Sequence, residues 1–170
     1  MARDDEFRQF VAARYGALVR TAYLLDGDRG HAEDLAQSAL IRTYLAWGRL
    51  RAPENADAYA RRILVRLAAR SRRRHWNGEI PTVHVSELPD GARAVADPGR
   101  ETAVDVRRAL ACLPAGQRDV LVLRYLDDCS EAQTAALLAI SIGTVKSRAS
   151  RGLENLRKAG LLAVEGDRHG

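Results

Sequence analysis

Aromatic side chains are scarce in this chain of 170 residues: two Phe, two Trp and five Tyr, or 5%. Hydrophobic residues still make up 46%, so any core is built chiefly from Leu, Val and Ala. Alternating runs of Val, Ile and Thr are missing, and alanine is abundant, which together point to an all-α fold. There are only two cysteines, Cys112 and Cys129, without CxxC spacing. That excludes a disulfide scaffold and a thiolate zinc site, and leaves a redox switch between the two as a minor alternative. The four histidines, His31, His75, His84 and His169, are scattered, with no HExxH or Cys/His cluster. No P-loop or dinucleotide fingerprint is present. The expectation is a protein with no catalytic residues, no metal and no cofactor, hence not an enzyme. No run reaches the length of a membrane span, and MARDDEF lacks the apolar stretch of a signal peptide. The chain is therefore expected to be cytoplasmic, without membrane insertion.

Acidic residues are also missing where they would matter most. Overall charge is +5, from 27 basic and 22 acidic residues. Residues 41–75 carry ten bases against two acids, whereas residues 1–40 and 76–101 are net acidic. Between Ala58 and Gly78 there is no acid at all. Within AYARRILVRLAARSRRRH, Ala60, Ile63, Leu64, Leu67 and Ala68 form one helical stripe, and Arg62, Arg66, Arg70 and Arg73 follow on the opposite side. A helix docked by one stripe with an arginine row outward is set to meet phosphates, and arginine suits bidentate contact. The bland alternative is a solvated helix face.

The most informative segment is SIGTVKSRASRGLENLRK, residues 141–158. On a helix, Ile142, Val145, Ala149, Gly152, Leu153 and Leu156 share one stripe. Thr144, Ser147, Ser150 and Arg151 lie opposite, with Lys146 and Arg148 on the flanks. Such a short, polar, cationic face can enter a major groove. Ser130-x-x-Gln133 has the form of a capping box opening a preceding helix, with Ala132, Ala135, Ala136 and Leu137 as its packing side. Leu138–Ser141 makes a tight turn, and Ser141 is a fitting N-cap. Two short helices so joined form a helix-turn-helix whose second member reads DNA. An ordinary antiparallel helix pair is the alternative.

Upstream, one helix is expected over Asp4–Leu25, with Phe7, Phe10, Val11, Leu18 and Ala22 inward. A second is expected over His31–Trp47, with Leu35, Ala39 and Ile41 packing and with Glu33 and Asp34 suiting its N-terminus. Residues 48–56 read as a loop. Residues 76–101, with three prolines and three glycines, read as a flexible acidic linker. Two further helices, over Glu101–Cys112 and Gln117–Tyr125, complete a second unit. The expected division is 1–75, the linker 76–101, 102–160, and a tail 161–170.

GQRDVLVLRYLDDCSEAQTAALLAISIGTVKSRASRGLENLR resembles the C-terminal domain (region 4) of a bacterial sigma factor. HAEDLAQSALIRTYLAW with the arginine-rich helix after it resembles the N-terminal promoter-melting domain (region 2). Their order and spacing resemble an extracytoplasmic-function (ECF) sigma factor of the sigma-70 family, of SigE-like type. The resemblance implies binding to core RNA polymerase (its β′ clamp helices and β flap), promoter DNA and an anti-sigma factor. It implies −35 reading by Thr144, Lys146, Ser147, Arg148, Ser150 and Arg151. Arg124 is a further phosphate candidate there, with an ion pair to a neighbouring Asp as the alternative. It implies −10 capture by Asn55, Asp57, Arg61, Arg62, Arg66, Arg70 and Arg73; Asn55 alternatively serves as a helix cap, and relatives carry Asn in place of Arg66. It implies polymerase contact by Asp34, Gln37 and Ser38, where the family often has Glu at position 38. Relatives commonly have Gly in place of Ala139, so a left-handed backbone there would cost about 1 kcal/mol. The two promoter elements lie about 85 Å apart at ~3.4 Å per base pair, and a stretched 26-residue linker reaches about 85–90 Å. A stand-alone helix-turn-helix regulator is the alternative reading, and it leaves the arginine row unexplained.

Overall fold

The computed structural model describes residues 2–50, 52–76 and 98–161. Seven α-helices and no strand occur among them: α1 (Ala2–Asp26), α2 (Arg29–Ala46), α3 (Pro53–Trp76), α4 (Pro98–Ala111), α5 (Ala115–Leu121), α6 (Glu131–Leu138) and α7 (Ile142–Lys158). A 3₁₀ turn at Trp47–Arg49 follows α2, and a π turn at Val122–Leu126 extends α5. The linker and tail segments fall mostly outside the described residues, apart from Trp76, which ends α3, Pro98–Glu101, which belong to α4, and Leu161.

The first three helices pack on one another. Gly27, at φ +90°, ends α1, and Asp28 caps α2 by accepting from the His31 N–H at 2.8 Å. The second helix thus begins two residues earlier than its acids indicated. Alanines 22, 32, 36, 39, 60 and 68 are fully buried, so the helices approach closely. The few aromatics gather at one end, where Phe7, Phe10, Tyr44 and Trp47 meet edge to face or tilted. The expected loop 48–56 is shorter than foreseen: Pro53 takes a first-turn position, and α3 begins there.

In the second unit, Ser130 and Gln133 make the expected capping box, and Ser141 caps α7 through the Thr144 N–H. Ala139 lies in the left-handed region at φ 54° and ψ 46°. Gly152 is buried where α7 crosses α5; a Cβ there would stand 3.0 Å from Leu121 Cδ1, so glycine sets this close approach.

The two units are docked. Leu25, Ala60 and Leu64 share one buried cluster with Leu110, Leu113, Leu123 and Cys129. Arg72 donates twice to Asp119, at 2.6 and 2.7 Å. Arg72 and Arg118 both reach the Leu25 carbonyl at the end of α1, each at 3.4 Å. Thr21 Oγ1 donates to Asp127, and Arg107 lies over the Tyr23 ring.

Several sequence expectations need correction. Ile41 is not a packing residue but 62% exposed, because no helix covers that side of α2. Ile142 is 46% exposed, as the first residue of α7, beyond the reach of α5. On α6 the buried residues are Thr134 and Ala135, while Ala132 and Ala136 are exposed.

Candidate nucleic-acid interface

Helix α7 presents most of the polar face expected of it. Ser147, Ser150, Arg151 and Lys146 are exposed, and Val145, Gly152 and Leu156 are buried beneath. Thr144 is half-buried, its hydroxyl 2.9 Å from that of Ser141. Arg148 is also half-buried, with its guanidinium against Gly116 at the start of α5. Lys146 stands 3.7 Å from Glu131 across the exposed surface, a contact of little energetic weight. Ser150 and Lys146 line one crevice with Arg124 and Arg157. Arg157 was missed in the sequence, although its position two turns beyond Ser150 is a usable signal.

Arg124 has a different partner from the one considered. Its Nη1 donates to the Cys129 carbonyl at 2.6 Å, and it stacks near Tyr125, so it braces the turn between α5 and α6.

The −10 candidates divide into two groups. Arg62, Arg66, Arg70 and Arg73 are exposed along α3. Asp57 is instead held by Arg14, through Nε at 2.7 Å and through an ion pair, and by Arg61 at 3.3 Å. The hydrogen bond from Arg14 to Asp57 raises the Arg14 pKa further above an already high value. Arg61 also donates to Cys129 Sγ at 3.1 Å. Asn55 and Arg61 line an interdomain crevice closed by Cys129, Gln133 and Leu137. Asn55 sits in the first turn of α3 and is not its cap.

The interdomain ion pair is firmly set. Burial lowers the Arg72 pKa, but the Asp119 hydrogen bond and charge outweigh it, and the net shift is upward. Burial, then the neighbouring Arg72 charge, lower that of Arg118. Both guanidinium groups remain charged at any ordinary pH. Burial pushes the Asp127 carboxyl up against the opposing pull of Thr21 and Arg61. Burial likewise raises the Cys129 thiol.

On α2, Asp34, Gln37 and Ser38 are exposed along one stripe that continues into Ile41 and Leu45. Leu45 is 73% exposed. The acidic-polar stripe thus ends in two bare aliphatic side chains. Among the described residues there is no metal-ligating cluster, and no helix is long and apolar enough to cross a membrane.

The sequence matches the family models for sigma-70 region 2 over residues 10–78 and for sigma-70 region 4 over residues 103–156. It is 39% identical over 155 residues to the RNA polymerase sigma-E factor of Streptomyces coelicolor, covering 90% of this chain and 85% of that protein. The chain is an ECF sigma factor of the sigma-70 family. Another ECF relative is SigM of Mycobacterium tuberculosis, 31% identical over 153 residues, covering 89% of this chain and 76% of that one. Among solved structures, the sigma factor RpoE of Bartonella quintana, in complex with the anti-sigma factor NepR, superposes with a TM-score of 0.73 at 29% identity; it covers 94% of this chain and 98% of that one. Sigma factors are non-enzymatic initiation factors that direct core RNA polymerase to promoters. The two cationic faces of this one therefore belong to one initiation factor.

Proposed function

We propose the following division of labour within that activity. Residues 1–75 bind core polymerase and hold the −10 element, residues 102–160 read −35, and 76–101 tether them. Ser147, Ser150 and Arg151 on α7 meet base edges, with Thr144 at the helix start. Lys146 and Arg148 position the helix on phosphates, helped by Arg157 and Arg124. The exposed arginine row of α3, Arg62, Arg66, Arg70 and Arg73, carries the non-template strand, with Asn55, Asp57 and Arg61 as edge and groove contacts. Asp34, Gln37 and Ser38, extended by Ile41 and Leu45, dock on the polymerase clamp. An anti-sigma factor is proposed as a further partner, by extension from the Bartonella relative. The protein works in the cytoplasm, where the polymerase is.

The observation that carries this reading is the pair of exposed cationic faces on separate units, one on α3 and one on α7. The docked arrangement adds a condition. Helix α6 touches α3, whereas two elements some 25 base pairs apart stand about 85 Å apart at ~3.4 Å per pair. Both faces reach their elements only after the units part, which opens the crevice lined by Asn55 and the half-buried Arg61. A run-off transcription assay with purified core polymerase tests the proposal. Promoter-specific transcripts that depend on this chain are expected, and silence on every promoter of a diverse pool refutes it.

A further inference from the structure

Of the 27 basic side chains only two are lysines, Lys146 and Lys158, and both lie on α7. The permanent cations of α3 are all arginine. Lys158 stands on the open surface at the end of α7, 3.3 Å from Glu154 one turn before it. Lys146 is placed differently. It lines a crevice of about 320 Å³ together with Arg124, Arg157, Ser150 and the exposed Tyr125. Glu131, the first residue of α6, is the only carboxylate among the described residues that line it, and its Oε2 is 3.7 Å from Lys146 Nζ. All of these groups belong to the second unit, so parting of the two units leaves the crevice in place.

We infer that this crevice takes small acyl phosphates, and that Lys146 is the acylation site of the chain, whose modification lowers the affinity of α7 for −35 DNA. Two arginine forks beside a hydroxyl suit a phosphate dianion. Arg124 uses Nη1 on the Cys129 carbonyl and keeps its other N–H donors for a ligand, while Arg157 is exposed. A phosphate held there brings the acyl carbon, joined to it through one oxygen, to the Lys146 amine. The amine adds to that carbon: the N–C bond forms, and the C–O bond to phosphate breaks. The ammonium group gives up two protons in all. One passes by way of the Glu131 carboxylate to water, and the other leaves on the departing hydrogen phosphate. The volume is at the low end for small-molecule pockets, ~300–1,000 Å³, and suits a molecule of acetyl phosphate size. A coenzyme A thioester carries its phosphates far from the acyl carbon, so the arginines give it no hold at the reacting atom.

The acylated side chain is neutral and no longer pairs with Glu131. The effect on DNA rests on the phosphate contact proposed above for Lys146; the chemistry of the crevice does not. Lysine is the residue that acyl donors modify, and a guanidinium is not. The same reagent therefore leaves the arginine row of α3 unchanged, and weakens −35 reading without touching the −10 surface.

The test incubates the full-length chain with acetyl phosphate and follows each lysine by peptide mass spectrometry. Lys146 should be acetylated about tenfold faster than Lys158, and Arg157→Gln should remove about that factor at Lys146 alone, as one charge-assisted hydrogen bond to phosphate is no longer made. The succinimidyl ester of acetic acid, which has no phosphate, and acetyl coenzyme A should both treat the two lysines alike. Equal rates with acetyl phosphate would overturn the site. So would a preference for Lys146 that persists with the succinimidyl ester or in Arg157→Gln. The effect on DNA is read with a Lys158→Arg chain, acetylated, freed of reagent and assembled with core polymerase on duplex promoter DNA. Its slope of log affinity against log salt should flatten by about 0.9, the share of one duplex phosphate contact. Affinity for core polymerase should stay at the wild-type value. Lys146→Arg, treated in the same way, should not respond; a response there would trace the effect to another amine and overturn the regulation. Selective acetylation with an unchanged slope would overturn the phosphate role given to Lys146, and the regulation with it, while the acyl phosphate site would stand.

Discussion

Replacing Ala139 by glycine should stabilise the protein. The residue ends α6 at φ 54° and ψ 46°, in the turn that aims the recognition helix. An L-residue with a Cβ spends roughly 1–2 kcal/mol in that region, which glycine does not. Against this, glycine adds about 0.4–1 kcal/mol of backbone entropy to the unfolded chain. The alanine methyl group is exposed, so no burial is lost, and the cap bond from its N–H to the Ala135 carbonyl needs only the backbone. The balance is a gain of about 0.5–1 kcal/mol, or ~1–4 °C in Tm for a chain of this size if it unfolds in one transition. Differential scanning calorimetry reads the shift directly. Asp128→Gly is the internal control, since Asp128 has φ 52° but aspartate tolerates that region better, and a smaller gain is expected. Ala139→Val should lose stability, because a branched Cβ suits the region least. A Tm for Ala139→Gly at or below wild type, or a harmless valine, would show that the turn is not strained as its backbone angles indicate.

Arg151→Ala should weaken discrimination of the −35 sequence by about 1–3 kcal/mol, the range for one good base contact, with core binding intact. Band shifts with wild-type and substituted −35 probes measure it, and loss of core binding would refute the assignment. Arg72→Gln leaves Asp119 nearly buried without its cation, and should cost about 3 kcal/mol, the low end for breaking a buried pair. Urea unfolding measures that loss, while small-angle scattering should show a larger radius as the units part. The Asp127 carboxyl has its pKa raised by burial, so it favours the fold when protonated, below its unfolded value, and that contribution is lost as pH rises through the folded value. Asp127→Asn should therefore gain stability relative to wild type at neutral pH and lose that advantage under acid; a difference that shrinks as pH rises would contradict the sign. In thiol labelling of the native protein, exposed Cys112 should react quickly, and Cys129, 1% exposed and with a raised pKa, slowly. The Arg72→Gln variant should speed only the second reaction.

Much of this protein was legible before any coordinates. The spacing of Val145, Gly152 and Leu156 against Ser147, Ser150 and Arg151 separates the inner from the outer face of α7, because a helix repeats every 3.6 residues whatever surrounds it. Ser130 with Gln133, and Ser141 with Thr144, announce helix starts through bonds that close within four residues. The arginine row of α3 stays outside because a desolvated cation without a partner is too costly to bury. Local chemistry decides such features.

Where periodicity misled, the missing information was which helix meets which. Ile41 is apolar and at helical spacing, yet it is bare because α1 and α3 cover other sides of α2. Ala132 and Ala136 seemed suited to packing, but alanine is small enough to sit on either side of a helix, and here Thr134 and Ala135 face inward. The pairing of Arg72 with Asp119 spans 47 residues, and that of Thr21 with Asp127 spans 106. No spacing rule links residues so far apart, since only the folded backbone brings them within reach. The sequence alone determined the all-helical character, the Ser130 and Ser141 caps and the two cationic faces. The tertiary structure decided that the two units close upon each other and that Asp57 and Arg61 are already engaged, because burial and partnership belong to surfaces that meet in space.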